Sequence, residues 1–448
     1  MADYYIGLDL GTTAVKACAF ATDGTLLGME EREYPLLHPE PGAAVQNPDE
    51  LLRAAEDALA TLLRETDGIC KGVGLSCPMH SLLLLDADKQ PISQLYTWAD
   101  VRPQAVLDQF SEKERLDLLA RTGTPVHPMS PLLKLHWLGA TGAAYAADLK
   151  SYLVHRWTTN GLLLDEQLAS ATGMMDLTTR QWIPVLTEAF PELPHIRTAF
   201  ETLSWREDVA RQLGVTGIPL YLGGSDGVLA NLGSGLFDPS EVALTVGTSG
   251  AVRATHQNAT VDPKYGLFNY RMFGDYFVVG GPTNNGGKVL AYWQELLAVH
   301  LKDVGAFIDA ACSVSREDCP VFVPYLYGER APVWDASATA ELTGLRGHHD
   351  HRHLARAVLE GVTDNLVVML RQLEEVVGPA RRVHASGGFT RSPEWLDLLA
   401  EKSAREVVVA DAAQATAYGA ALIARGPSRS LLGRVEPHPA PAPAPSKK

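Results

Sequence analysis

The sequence predicts an α/β protein built from two similar halves, and three observations carry that prediction. The first is a strand, strand, strand, helix, strand order at the N-terminus. The second is a restart of the same programme near residue 241. The third is length, because 448 residues suffice for two or three domains that each bury a core.

The first half opens with the alternating segment Tyr4 to Leu10, the turn Gly11-Thr12-Thr13 and a second strand from Ala14 to Ala21. Asp23-Gly24 is a strong hairpin signal, so a third strand starts at Thr25. Asn47-Pro48-Asp49-Glu50 supplies an N-cap, a proline at the first helical position and a Glu three residues after the cap. Leu51, Leu52, Ala55, Leu59, Leu62 and Leu63 then form one apolar stripe at helical spacing, and Gly72 to Ser76 reads as a buried strand. In the second half, Val242 to Ala254 echoes Ile6 to Ala17: an apolar strand, a Gly-Thr-Ser turn in place of Gly-Thr-Thr, and a strand carrying a basic residue. A glycine-rich helix start at Asn284, a long amphipathic helix near Leu354–Val377 and alternating strand and helix to Arg425 complete it. The boundary falls between about Gly235 and Glu241, giving domains over 1–238 and 239–426 and a disordered Pro/Ala tail over 427–448.

Charge and composition exclude whole classes of function. Lys+Arg 38 against Asp+Glu 53 gives a net charge of −15, opposite to the basic footprint that duplex DNA requires. A local pocket can still oppose that charge and take a small anion. Hydrophobic content of 46% with 20% charged residues is ordinary for a soluble enzyme. Apolar stretches are broken well short of a bilayer span and the N-terminus has no signal core, so no membrane is expected and a cytoplasmic location is. Five cysteines without a C-x-x-C pair suit neither a disulfide framework nor a zinc site, and reduced, mostly buried thiols are expected.

Seven segments carry candidate chemistry. Asp9-Leu-Gly-Thr-Thr places a carboxylate at a strand end beside a turn rich in N–H and hydroxyl donors. Such a turn cradles phosphate oxygens while the Asp positions hydrated Mg²⁺, with Lys16 adding a point charge. The same residues also make a plain hairpin that satisfies its own backbone. Gly247-Thr248-Ser249-Gly250 is a second copy. Gly223-Gly224-Ser225-Asp226-Gly227 supports three readings: Ser225 as a hydrolase nucleophile in G-x-S-x-G, Asp226 as a base for a substrate hydroxyl, or a helix N-cap. Ser386-Gly387-Gly388-Phe389-Thr390, between strand and helix, either admits a nucleoside close to the backbone or is a tight connection. Neither a dinucleotide fingerprint nor a complete Walker A motif is present. On the sugar side, Cys77-Pro78-Met79-His80-Ser81 and Tyr96-Thr97-Trp98-Ala99-Asp100-Val101-Arg102 mix polar and aromatic residues as a polyol or sugar-acid site would, or serve as ordinary core residues. The tract His348-His349-Asp350-His351-Arg352-His353 looks metal-binding, but adjacent positions share no helix face, so a solvated loop is expected.

From Tyr4 to about Arg425 the chain resembles the FGGY carbohydrate kinases of the actin-like, ribonuclease-H-like ATPase superfamily. The residues that carry the resemblance are Ile6-Gly-Leu-Asp9-Leu-Gly-Thr-Thr, Gly-Ser-Asp226-Gly, Leu244-Thr-Val-Gly247-Thr-Ser, Gly328-Glu329-Arg330-Ala-Pro-Val-Trp334-Asp335, Leu342 through Glu360, and Ala385-Ser-Gly387-Gly388. The resemblance implies two actin-like ATPase domains flanking an interdomain cleft, with ATP and Mg²⁺ as the cofactors and a small sugar or sugar acid as the partner. It implies Asp226 as the catalytic base and Asp9 as the residue organising the metal. Thr12, Thr13, Lys16, Gly247 and Thr248 would meet phosphates, and Gly286, Gly387 and Gly388 would line the nucleotide site. Met79, His80, Trp98, Asp100 and Arg102 would face the sugar. His127-Pro-Met-Ser-Pro131, Lys134, Trp137 and Ala169-Ser-Ala-Thr172-Gly173 look most like gluconokinases, with xylulokinases or other polyol kinases as the alternative. Val101 stands where Asn is usual, and Leu163-Leu-Leu-Asp165-Glu-Gln is an atypical lead into the Ala-Ser-Ala-Thr-Gly segment. The expected reaction moves a phosphoryl group from ATP to a terminal hydroxyl, with D-gluconate as the expected acceptor, in a protein that binds no nucleic acid and is considered as a homodimer. A Ser225 hydrolase and a sugar-free actin-like or chaperone-like ATPase are the non-kinase alternatives.

Overall fold

In the computed structural model, which describes residues 2–139, 141–410 and 414–426, the first apolar alternation becomes β1, Asp3–Leu10, with Tyr4, Ile6, Leu8 and Leu10 buried. The Gly11–Thr13 turn returns the chain as β2, Ala14–Ala21, antiparallel to β1, and β3, Leu26–Glu33, is antiparallel to β2. Helix α1, Pro48–Glu65, starts where the sequence places it: the Asn47 side chain accepts the Asp49 N–H at 3.0 Å. Its stripe of Leu51, Leu52, Ala55, Leu59 and Leu62 is buried. Strand β4, Ile69–Cys77, runs parallel to β1. After the helices α2, Leu149–Trp157, and α3, Glu166–Ser170, come β5, Thr202–Leu203, and β6, Leu220–Ser225, which is parallel to β4 and leads into α4, Asp226–Gly233. The sheet order is β5-β6-β4-β1-β2-β3.

The second sheet repeats this plan. Strands β7, Glu241–Val246, and β8, Gly250–His256, are antiparallel. They are followed by β9, Phe268–Phe273, and β10, Tyr276–Thr283, which is antiparallel to β8. Helices α5, Gly287–Leu296, α6, Val304–Cys312, and α7, His351–Val377, precede β11, Arg382–Ser386, parallel to β7. Helix α8, Pro393–Ser403, and β12, Glu406–Val409, complete the order β9-β10-β8-β7-β11-β12. Val242, Leu244, Val252 and Val279 form one apolar core with Val358, Val362 and Leu366 of α7. That helix begins three residues before the apolar periodicity does, because the Asp350 carboxylate accepts the Arg352 and His353 N–H groups.

By their contacts the described residues divide into two units. One holds the chain up to Gly235, Tyr270–Tyr276 and the described residues beyond 413; the other holds Leu236–Asn269 and Phe277–Ala410. The tail expected over 427–448 lies outside the described residues. Helix α9, Ala415–Ala424, follows the second half in sequence but belongs to the first unit. Nine of its ten residues are buried, the signature of a helix covered on every side. It approaches β1 so closely that a Cβ at Gly7 would stand 1.7 Å from the Ala417 carbonyl oxygen. Among the described residues no helix is long and apolar enough to cross a membrane. None of the five cysteines is in a disulfide; Cys18 and Cys77 are buried, but Cys70 and Cys319 are half-buried and Cys312 is exposed, so burial of the thiols is less general than composition suggests.

Substituting Gly7→Ala is therefore expected to lower stability by about 2 kcal/mol or more through overpacking. Gly347→Ala, where an added Cβ meets nothing within 4 Å, should change it by less than about 0.5 kcal/mol. The urea midpoint of the first unfolding transition checks both.

Candidate functional site

The end of β1 builds one half of the site. Asp9 accepts a hydrogen bond from the Ser76 hydroxyl at 2.8 Å, across the parallel β1–β4 pairing that sets the two residues side by side. The turn beyond it is held from outside: the Tyr34 hydroxyl donates to the Gly11 carbonyl at 2.7 Å and the Gln46 amide to the Thr12 carbonyl at 2.8 Å. Asp9, Gly11, Thr13 and Lys16 line a cavity of about 210 Å³ in the first unit. Lys16 stands 3.7 Å from Glu31, which lines the same cavity. Asp9 keeps an opening to solvent, yet burial pushes its carboxyl up to about 7, with the negative charge of Asp226 adding and Ser76 and Lys16 opposing. Two carboxylates and a hydroxyl grouped this way are a hard oxygen donor set, which fits hydrated Mg²⁺.

Asp226 opens α4 and accepts the Gly227 N–H at 2.7 Å. The turn in front of it is clamped. Lys150 on α2 donates to the Gly224 carbonyl at 2.7 Å and to Asp165 at 2.6 Å, and both charged side chains are 0% exposed. Asp165 also caps α3 by accepting the Gln167 and Leu168 N–H groups. Gln167 in turn accepts the Ser225 N–H at 3.0 Å. The Ser225 hydroxyl is buried and has no hydrogen-bond partner among the described residues. A hydrolase elbow requires the opposite, an exposed hydroxyl on a histidine base, so the Ser225 hydrolase reading fails.

The sugar-side residues also lie in the first unit, though in unequal roles. His80 holds a left-handed backbone at φ +67°, uncommon for a residue with a side chain, and its Nδ1 meets the Ala171 carbonyl at 2.7 Å. Tyr270 lies on its other nitrogen at 3.4 Å. Fully buried Lys134 donates to the carbonyls of His80 and Met129, and burial pushes its amine down to about 7. Met79 is half-buried beside His80. The Trp98 indole N–H donates to the Thr12 hydroxyl at 3.0 Å, which ties the sugar-side loop to the phosphate-type turn. Asp100 is fully buried and takes the Arg102 guanidinium at Nε and Nη2, while Glu40 takes Nη1. The same guanidinium lies over the Trp137 and Tyr96 rings at 4.9 and 5.6 Å. Arg102 is thus a fixed and largely neutralised cation, and Asp100 is the residue that fixes it.

The second unit holds the other predicted residues. The Gly247–Ser249 turn receives α5: the Gly287 N–H donates to the Gly247 carbonyl at 2.8 Å and the Lys288 N–H to the Thr248 carbonyl at 3.2 Å. Gly286 caps that helix. Gly387 has φ +98°, and a Cβ there would stand 2.3 Å from the Val246 carbonyl oxygen, so only glycine lets β11 turn against β7 at this point. Gly247 and Gly388 line a cavity of about 480 Å³ whose walls include Leu290, Ile308, Arg391 and Trp395. Its size and apolar walls suit a nucleoside.

Sequence reasoning missed Lys150, Gln167, Ser76 and Arg391. Asp165 and Gln167 sat in the one segment that looked atypical, which was their only signal.

In the folded state Asp9 has its pKa raised from 3.8 to about 7. Its contribution to stability is therefore complete below about pH 4 and is lost as pH rises through 7. Asp9→Asn should raise the thermal midpoint at pH 8, and the gain should vanish toward pH 4 in a pH series of melting curves. Lys150→Met leaves Asp165 buried and uncompensated, and a loss of about 3–5 kcal/mol is expected. The double change Lys150→Met with Asp165→Leu should recover part of that loss in the same denaturation assay.

Residues 4–233 match the N-terminal domain, and residues 242–425 the C-terminal domain, of the FGGY family of carbohydrate kinases. A gluconokinase of Bacillus subtilis (strain 168) is 32% identical over 94% of this chain and 87% of its own. A xylulose kinase of Lactococcus lactis is 26% identical over the same shares, 94% and 87%. Among solved structures, a gluconate kinase from Lactobacillus acidophilus superposes with a TM-score of 0.90 at 30% identity, covering 97% of this chain and 90% of that one. A ligand-bound xylulose kinase from the same organism gives 0.90 and 30%, covering 96% and 90%.

Proposed function

The chain belongs to the FGGY family of carbohydrate kinases, and from that premise we propose that it moves the γ-phosphoryl group of ATP to the terminal hydroxyl of an open-chain sugar acid, D-gluconate giving 6-phosphogluconate. The observation that supports this most is Asp226, a carboxylate at a helix start behind a turn fixed by Lys150 and Gln167. Phosphoryl transfer depends on positioning and charge neutralisation more than on covalent chemistry, so a base held in one place is what the reaction needs.

In this reading Asp226 accepts the proton of the sugar hydroxyl as the new P–O bond forms, and it acts late because a carboxylate is a weak base. Asp9, its carboxylate oriented by Ser76, would hold Mg²⁺. When bound, the ion neutralises charge on the nucleotide phosphates. Thr12, Thr13, Lys16, Gly247, Thr248 and Gly286 are the residues proposed to meet the phosphates. Gly387 and Gly388 admit the nucleoside. Met79, His80 and Trp98 face the sugar, and Arg102, aimed by Asp100, offers directed N–H groups to it rather than a free charge. A substrate of ATP-dependent metabolism suits a cytoplasmic protein. Xylulose is the second candidate, favoured by the xylulose kinases among the relatives.

Asp226→Asn should bind ATP as the wild type does yet lose about a thousandfold in transfer rate, within the range of general-base losses. Substantial residual kinase activity overturns the role of Asp226. ADP release measured with Mg-ATP across gluconate, xylulose, ribulose, glycerol and no sugar should be stimulated most by gluconate; preference for xylulose corrects the substrate, and no stimulation by any acceptor defeats the kinase reading.

A further inference from the structure

The histidine tract at 348–353 has no part in the proposed phosphoryl transfer; as expected, His348 and His349 lie ahead of the long helix, whereas His351 and His353 lie within it. His348 and His349 precede α7, and the turn there aims both rings at one carboxylate. That carboxylate is Asp318, thirty positions before His348, in the short 3-10 turn Arg316–Asp318. His348 Nε2 lies 3.0 and 3.1 Å from the two Asp318 oxygens, and His349 Nε2 lies 3.9 Å from Oδ1. The three ligand atoms fall within 4.8 Å of one another.

We propose that Asp318, His348 and His349 bind one divalent ion of the zinc class. A four-coordinate ion with ligands at about 2.0–2.1 Å holds neighbouring donors about 3.3 Å apart. The separations of 3.0 and 3.9 Å bracket that value. The longer one exceeds hydrogen-bond reach, so direct bonding between His349 and Asp318 does not account for their approach. His349 is also a fixed donor: its side chain is only 3% exposed, and its ring stacks on His353 at 5.2 Å and 28°. His353 is held in turn by Asp350, whose carboxylate lies 2.8 Å from its Nδ1. Two imidazoles and one carboxylate select a borderline ion such as Zn²⁺ over Mg²⁺ or Ca²⁺, which take oxygen ligands, and leave the fourth position to water. Loading has one identifiable cost. His349 Nδ1 accepts the Arg346 N–H at 3.1 Å, and it must carry the proton when Nε2 ligates, so that amide turns to solvent. The bound ion ties the Arg316–Asp318 turn to the start of α7, the 27-residue helix that fills the core of the second unit.

The test uses the full chain without an affinity tag, stripped with a chelator and kept in saturating Mg²⁺ so that oxygen-donor sites are filled. Titration with Co²⁺ should show one equivalent bound, visible d–d absorption of a low-coordinate nitrogen–oxygen site, and displacement by Zn²⁺. The exposed-site double variant His348→Ala with His349→Ala, and separately Asp318→Asn, should weaken the affinity roughly tenfold or more. Circular dichroism checks that each remains folded, and Asp9→Asn should bind Co²⁺ as the wild type does. Absence of saturable binding, wild-type affinity in the double variant, or loss of binding in Asp9→Asn instead overturns the proposal. Each outcome is independent of kinase activity.

Discussion

The buried pair of Lys150 and Asp165 is the constraint on which the rest of the first unit's site depends. Neither charge touches water, and each alone would carry a desolvation penalty of several kcal/mol. Their remaining valences are spent on backbone: Lys150 on the Gly224 carbonyl, and Asp165 on the two N–H groups that start α3. Placing α3 places Gln167, and Gln167 fixes the Ser225 N–H. The turn in front of Asp226 is therefore fixed, and its carboxylate opens α4 with the Gly227 N–H on one oxygen.

Like charge concentrates at the same place. Asp9 and Asp226 each raise the cost of ionising the other, and only Lys16 and the Ser76 hydroxyl oppose this at Asp9. Lys16 itself is shared with Glu31. The chain's net charge of −15 adds no general attraction for an anionic nucleotide or a sugar acid. In the proposed reaction, binding would rest on local donors and on a cation brought with the nucleotide. The nearly neutral pair of Asp100 and Arg102 follows the same rule: a bidentate contact and two aromatic rings give it a fixed direction more than a net charge.

Local signals made much of this legible in the sequence. The Asn47 cap, the Asp23-Gly24 hairpin and the echo of Ile6–Ala17 in Val242–Ala254 each express a short-range rule, and each became the element it indicated. Asp9, Asp226 and the glycine turns were visible because their chemistry lies in contiguous residues. What escaped depends on distant pairings. Lys150 meets Gly224 across 74 positions, and nothing local marks a lysine that will be buried. Helix α9 joins the first unit because it is apolar all round, a property that names no partner. The histidine tract reads as a solvated loop because its decisive neighbour, Asp318, sits thirty positions away in another turn. The neutralisation of Arg102 is likewise hidden in the sequence, because Glu40 and Trp137 are remote from it.

The central claim is that phosphate leaves ATP for a carbon-bound hydroxyl and not for water. Phosphorus NMR of the wild-type protein with Mg-ATP and D-gluconate tests this most directly. A phosphomonoester resonance should grow in step with ADP, at the shift of 6-phosphogluconate. ADP accompanied by inorganic phosphate alone, with no phosphomonoester from gluconate or xylulose, would contradict it.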